Sequence, residues 1–146
     1  MPLVRGQAAV SVGVGEAHSC ALLASGDVQC WGAGSNGRLG YGNSNSLGAT
    51  SGATADSGGA VMLASSGKAR SIAVGRTHTC AVLSDSALNC WGGNNQGQLG
   101  IGSTTSVGES GTPASSSFVS FAGNYLVRQI ALGVEHSCAV FSAGGV

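Results

Sequence analysis

The sequence predicts an all-β fold built from repeats, and three observations carry that prediction. A block at residues 15–42, GEAHSCALLASGDVQCWGAGSNGRLGYG, returns at 75–102 as GRTHTCAVLSDSALNCWGGNNQGQLGIG. It starts a third time at 133–146 as GVEHSCAVFSAGGV. Self-similarity at a fixed period points to a repeat architecture before any local structure is assigned. Within and just before each block, short stretches alternate apolar and polar residues, the period of a half-buried strand. The chain holds 26 glycines, 2 prolines and 42% hydrophobic residues. Glycines at fixed repeat offsets in so apolar a chain are turn positions of a folded β protein and not a disordered linker.

In chain order, residues 8–14 (AAVSVGV), 69–74 (ARSIAV) and 127–132 (VRQIAL) are small, β-branched and closed by a glycine. They predict three equivalent strands. Gly15, Gly75 and Gly133 punctuate before a hairpin whose first arm in copy one is 18–24 and whose second is 27–31, with Ser25 and Gly26 at the tip. Alternation sets His18, Cys20 and Leu22 on one face, and Ala21 and Leu23 on the other. If Cys20 lies opposite Cys30, then Leu22 lies opposite Val28. Copy two repeats the arithmetic, with Cys80 opposite Cys90, Val82 opposite Leu88, and Ser84, Asp85 and Ser86 near the tip. Trp31 and Trp91 open a glycine-rich loop, and Leu39 and Leu99 interrupt it as core plugs. The Ser/Gly/Thr spacers 43–59 and 103–117 are surface loops. Apolar character returns at 61–64 and 118–122, predicting each repeat's outer or returning strand. No segment predicts a helix.

His18 and His78 are 60 residues apart, and His78 and His136 are 58 apart. A unit of that length with four short antiparallel strands suits a propeller blade. The expected division is blade one at 8–68, blade two at 69–126 and the start of a third repeat at 127–146. The fold class is an incomplete β-propeller. Such blades bury their faces only against neighbours, so further repeats of the same chain or a homo-oligomer are expected to close the ring.

The order apolar strand, Gly-x-x-His-[Ser/Thr]-Cys-Ala-[Leu/Val], hairpin, Cys-Trp-Gly, then Gly-[Arg/Gln]-Leu-Gly-x-Gly resembles the regulator of chromosome condensation repeat. It looks most like a bacterial form with paired cysteines and long Gly/Ser spacers. The resemblance covers nearly the whole chain as two repeats and the start of a third. It implies a seven-bladed β-propeller that serves as a protein-interaction platform. Some eukaryotic members exchange guanine nucleotide on a small GTPase and dock on chromatin, and some secreted bacterial members inhibit β-lactamases. Two repeats and a fraction do not close a seven-bladed ring, so the expectation is a piece of a longer protein, or several copies assembling one.

Composition excludes some functions. Lys plus Arg and Asp plus Glu are both 6, and no basic run supplies affinity for nucleic acid or an acidic membrane surface. No apolar run reaches membrane-spanning length, so no membrane insertion is expected. Cys20 with Cys30 and Cys80 with Cys90 are disulfide candidates across the hairpins, which would mark an oxidising compartment. The alternative is that they are small buried hydrophobes. Cys138 is left over, and no Cys-x-x-Cys spacing supports zinc. His18, His78 and His136 occupy one repeat position. Equivalent positions of a large ring are too far apart for one ion, so each histidine is expected to hydrogen-bond neighbouring backbone. Ser19, Thr79 and Ser137 follow the histidines directly and point to the opposite face, so none forms a nucleophile–base pair with its own histidine. The six carboxylates recur in no acid–base pair, and the glycine loops lack a following Gly-Lys-Ser/Thr. Neither an enzyme nor a cofactor is expected.

Trp31 and Trp91 recur with the motif and are expected to pack. Recognition is expected in loops that differ between copies, with Arg38 against Gln98 and Tyr41 against Ile101 as candidate binding positions. The expected function is a non-catalytic protein–protein interaction module, part of a longer bacterial protein. Its expected location is extracellular, periplasmic or at the cell surface, with the cytoplasm as the alternative. Other classes are a guanine-nucleotide exchange or regulatory factor for a small GTPase, onto whose site no residue here maps, and a cell-wall or carbohydrate-binding adhesin. The adhesin would use Tyr41, Phe118, Phe121 and Tyr125.

Overall fold

Alternating small and β-branched residues form the first strand of each of three antiparallel sheets in the computed structural model, which describes residues 7–65, 67–116, 118–121 and 125–142. The first sheet holds β1 (Ala9–Val14), β2 (His18–Leu23) and β3 (Val28–Gly32). The second holds β4 (Ala69–Val74), β5 (His78–Leu83) and β6 (Leu88–Gly92). The third holds β7 (Val127–Leu132) and β8 (Ser137–Phe141). Short 3-10 turns at Ser35–Gly37, Ala55–Gly58 and Pro113–Ser115 are the helical elements among the described residues.

The hairpin register follows from alternation and tip length. Cys20 pairs with Cys30 and Leu22 with Val28, and Cys80 pairs with Cys90 and Val82 with Leu88. At the first tip the Leu23 N–H donates to the Asp27 carbonyl and the Gly26 N–H to the Leu23 carbonyl, enclosing a three-residue turn. The third tip residue needs a left-handed backbone: Gly26 sits at φ 83°, and its counterpart Ser86 adopts φ 68° without glycine's freedom. Each first strand carries a bulge at the same place, at Val10, Arg70 and Arg128.

The expected fourth strand does not form as a regular strand among the described residues. In its place a broken outer path makes isolated contacts. Leu47 exchanges two backbone hydrogen bonds with Gly32, and Val107 does the same with Gly92. Further on, the Val61 N–H donates to the Val28 carbonyl and the Val119 N–H to the Leu88 carbonyl. The apolar character of 61–64 reflects burial of Val61, Leu63 and Ala64 and not a ladder. Part of the second expected outer strand, at 122, lies outside the described residues.

Successive sheets stack face to face. Strand alternation gives each sheet a forward face bearing the histidine and the cysteines, and a backward face bearing the next residue in each strand. Leu22, Val28 and the Cys20–Cys30 pair of the first sheet pack with Ala81, Leu83 and Trp91 of the second, with Ile72 and Val74 alongside. Val82, Leu88 and the Cys80–Cys90 pair pack in turn with Val127 and Phe141 of the third, beside Ile130 and Leu132. Burial of this apolar surface is the main term holding the stack together.

Candidate interaction surface

The residues that recur in every repeat build the joints between sheets. The Cys20–Cys30 and Cys80–Cys90 pairs are disulfide-bonded, with S–S distances of 2.11 and 2.06 Å, and all four cysteines are buried. Opposed positions of an antiparallel pair bring the two Cα atoms to 4.1 Å in each hairpin.

Each buried histidine reaches a hydroxyl one sheet onward. His18 Nε2 is hydrogen-bonded to Thr79 Oγ1 at 3.0 Å, and His78 Nε2 to Ser137 Oγ at 3.0 Å. The partner is thus a side chain of the next repeat, where the sequence suggested backbone. The hydroxyl residue after each histidine does turn away from its own histidine, and this is what aims it at the preceding one. Ser137 donates its single proton to the Gln98 carbonyl at 2.7 Å, so it accepts from His78, whose Nε2 carries the hydrogen. Nδ1 of both rings is buried with no hydrogen-bond partner among the described residues. Burial first, then the charge of Arg38 and the neighbouring His78, lowers the His18 pKa to about 4, and burial likewise lowers that of His78. Both rings are therefore neutral structural links at pH 7. A histidine–hydroxyl pair with Thr79 fully buried and no orienting carboxylate is not poised for nucleophilic attack. Among the described residues no cluster of His, Cys, Asp and Glu is arranged to hold a metal.

The two tryptophans differ. Trp91 is fully buried in the joint between the first two sheets, where its indole N–H donates to the Arg38 carbonyl at 3.2 Å. Trp31 is half-buried. Leu39 and Leu99 are both buried, the first in the core of the first joint and the second in that of the next. His136 is exposed.

The candidate binding positions turn inward. Arg38 and Gln98 are buried, at 7% and 4% exposure. The Arg38 Nε–H donates to the Ser35 carbonyl at 2.9 Å. The Gln98 side chain caps its own loop, accepting from the Gln96 N–H and donating to Asn95. The Tyr41 hydroxyl accepts from the Cys30 N–H at 3.0 Å and lies within hydrogen-bond reach of the Cys30 and Gly59 carbonyls, and burial pushes its pKa up to about 12. Ile101 is half-buried against the second core. These four positions differ between copies because each adapts to its own loop, so they do not constitute an exposed recognition set. Of the aromatics offered for an adhesin, Phe121 and Tyr125 stack on Phe141 at ring separations of 4.6 and 5.1 Å, and Phe118 is partly exposed.

The exposed, variable chemistry lies in the spacers. Buried amides that sequence reasoning passed over tie them down. Gln29 Nε2 donates to the Ala55 carbonyl, its counterpart Asn89 donates to the Pro113 carbonyl, and Asn94 donates to the Ser103 and Thr105 carbonyls. The signal for the first pair was an amide residue directly before each Cys-Trp. The two spacers also meet, through Ser44 donating to Glu109 at 3.1 Å and through Gly37 packed against Gly108, where an added Cβ would collide with backbone. Beside this meeting line lies a groove of about 360 Å³ walled by Tyr41, Leu47, Met62 and Thr112. Met62 is 64% exposed. Asp56 and Glu109 add exposed carboxylates on the same spacers.

Residues 9–38 and 69–98 match a family model described as the regulator of chromosome condensation (RCC1) repeat, and residues 87–140 match a second model of the same description. The chain is 35% identical over 140 residues to the ultraviolet-B receptor UVR8 of Arabidopsis thaliana, covering 95% of this chain and 29% of that protein. It is 32% identical over 133 residues to the probable E3 ubiquitin-protein ligase HERC6 of Homo sapiens, covering 91% of this chain and 12% of that protein. The chain thus spans less than a third of the curated relatives it matches. Among solved structures, Prp20p from Saccharomyces cerevisiae, described with its binding properties to Gsp1p and histones, superposes with a TM-score of 0.72 at 18% identity, over 95% of this chain and 32% of that one. Human WBSCR16 superposes with a TM-score of 0.71 at 21% identity, over 97% and 34%. A yeast RCC1 (Prp20) crystallised with Kap60 superposes at 0.70 and 22% identity, over 97% and 29%. These likenesses show the fold.

Proposed function

We propose, since the chain belongs to the regulator of chromosome condensation (RCC1) repeat family, that it is a non-catalytic protein–protein interaction module whose partner docks on the spacer loops. The sheets are blades of a β-propeller, which we divide at 8–68, 69–126 and 127–146. One observation carries the proposal. The repeated histidines, cysteines, Trp91 and leucines are committed to the joints between sheets, and the exposed side chains that vary lie on the two spacers. Clamping by Gln29, Asn89 and Asn94 holds those loops on a rigid support, so little conformational entropy is lost when a partner binds. In the groove, Met62 offers an adaptable apolar anchor, and Asp56 and Glu109 favour a partner with basic residues at the rim. The protein partners named with the yeast structures, Kap60, Gsp1p and histones, support a binding role for this fold. The buried disulfides support an exported protein in an oxidising compartment, within a longer bacterial polypeptide.

Site-specific photo-crosslinkers test the surface. Placed at Met62 or Glu109 in the protein in its native host, each is expected to capture the same protein species, whereas one at the hairpin-tip residue Ala24 captures none. Equal capture from Ala24, or no capture from the loops, refutes loop docking. Intact mass of alkylated protein tests the compartment. Cys138 should react without reductant and the four paired cysteines only after reduction. Reaction of all five without reductant contradicts the exported reading.

A further inference from the structure

A cavity of about 370 Å³ opens between the second and third sheets. Its walls repeat, one sheet later, the surroundings of Trp91. In the first joint Trp91 shares a core with Leu39 and Val61, lies beside Gly40 and has Ile72 and Val74 packed against that core. The cavity is lined by their counterparts Leu99, Val119, Gly100, Ile130 and Leu132. The Arg38 carbonyl, which accepts the Trp91 indole N–H, corresponds to that of Gln98, also a lining residue. Gly40 is buried beneath the indole, and Gly100 is exposed. The strand edges agree. β5 is paired on both sides, by β4 and β6, whereas β8 is paired by β7 and has no strand on its other edge among the described residues. On β6 the residue opposite Cys80 is Cys90, and the next is Trp91, turned into the joint. The equivalent of Cys80 on β8 is Cys138, which is exposed, unpaired and part of the cavity wall.

We infer that this cavity is an indole socket that receives an extended Cys-Trp-Gly strand added to the free edge of β8. The main-chain edge supplies affinity, and the socket selects the anchor. A cysteine of the incoming strand stands opposite Cys138, and strand alternation turns the following side chain into the cavity. The indole N–H meets the Gln98 carbonyl, and the flanking glycine takes the backbone turn that Gly92 makes at φ 102°. A tryptophan suits the socket because the same set of walls already holds one in the preceding joint.

The test uses a synthetic peptide with the sequence of residues 87–93, ALNCWGG, its cysteine joined as a mixed disulfide to 2-nitro-5-thiobenzoate. The Cys138 thiolate attacks the peptide sulfur, its proton having gone to buffer. A Cys138–peptide disulfide forms, and the nitrothiobenzoate thiolate leaves and is read by its absorbance. The oxidised 146-residue protein is expected to react about tenfold or more faster with this peptide than with one carrying alanine for tryptophan. Val119→Phe, which narrows the socket, should remove that advantage and leave the alanine peptide's rate unchanged. Equal rates for the two peptides on the native protein overturn the inference, as does an advantage that survives in Val119→Phe.

Discussion

The first and second sheets have nearly the same sequence and different surroundings. The second is enclosed on both sides, with Ala81, Val82, Leu83 and Trp91 fully buried. The first is covered on its forward face, while Val12 and Val14, the counterparts of Ile72 and Val74, are 63% and 71% exposed. Trp31 is half-buried where Trp91 is sealed. Identical motifs therefore carry unequal energies, because the stabilising unit is the joint between sheets and not the sheet.

Four perturbations sharpen that contrast, in decreasing order of effect. Trp91→Ala empties the first joint and should cost about 4 kcal/mol in denaturant unfolding, whereas Trp31→Ala should cost about 1 kcal/mol. Comparable losses would mean that the joint is not the unit. Acid should act next, through the histidine links. The His18 pKa is about 6.5 unfolded and about 4 folded, so the unfolded chain binds more protons between those values. Stability is then full above pH 6.5 and falls as pH drops toward 4, by about 3 kcal/mol for this residue, with His78 acting in the same direction. His18→Gln should flatten the His18 part of the profile, and an unchanged slope would contradict the link. Replacing Cys80 and Cys90 together by alanine removes a bridge across 10 residues and should cost about 2–3 kcal/mol by thermal or denaturant melting. Smallest is the hairpin tip. Ser86→Gly relieves a left-handed serine and should gain about 1 kcal/mol. Gly26→Ser should lose at least as much, since a Cβ there meets the Lys68 Cβ at 3.1 Å.

Much of the framework was legible in the sequence. Alternation and the common Cys-to-Cys interval fix the hairpin register, because a slip of one residue would move every core side chain to the other face. The links between repeats were harder to read. The hydroxyl that binds His18 lies 61 residues away, and its repeat-to-repeat recurrence was weighed only against its own histidine. The candidate loop residues were misplaced for a different reason. Difference between copies was taken for exposure, yet Arg38 varies while its side chain and carbonyl are both engaged inside. The outer strand was read from apolar runs, but burial of Val61 and Leu63 requires only contact with the core and not a continuous ladder. The Met62 groove has no motif at all. It arises where two spacers of low complexity meet, and nothing in either spacer alone encodes that approach.

Amide hydrogen exchange, resolved strand by strand, tests the joint as the stabilising unit. Ladder amides shared by β4 and β5 should be the slowest in the molecule and exchange only by global opening. The equivalent ladder amides of β1 with β2, and of β7 with β8, should exchange about tenfold or more faster. Equal protection across all three ladders would contradict the account, because each sheet would then be stable without its neighbours.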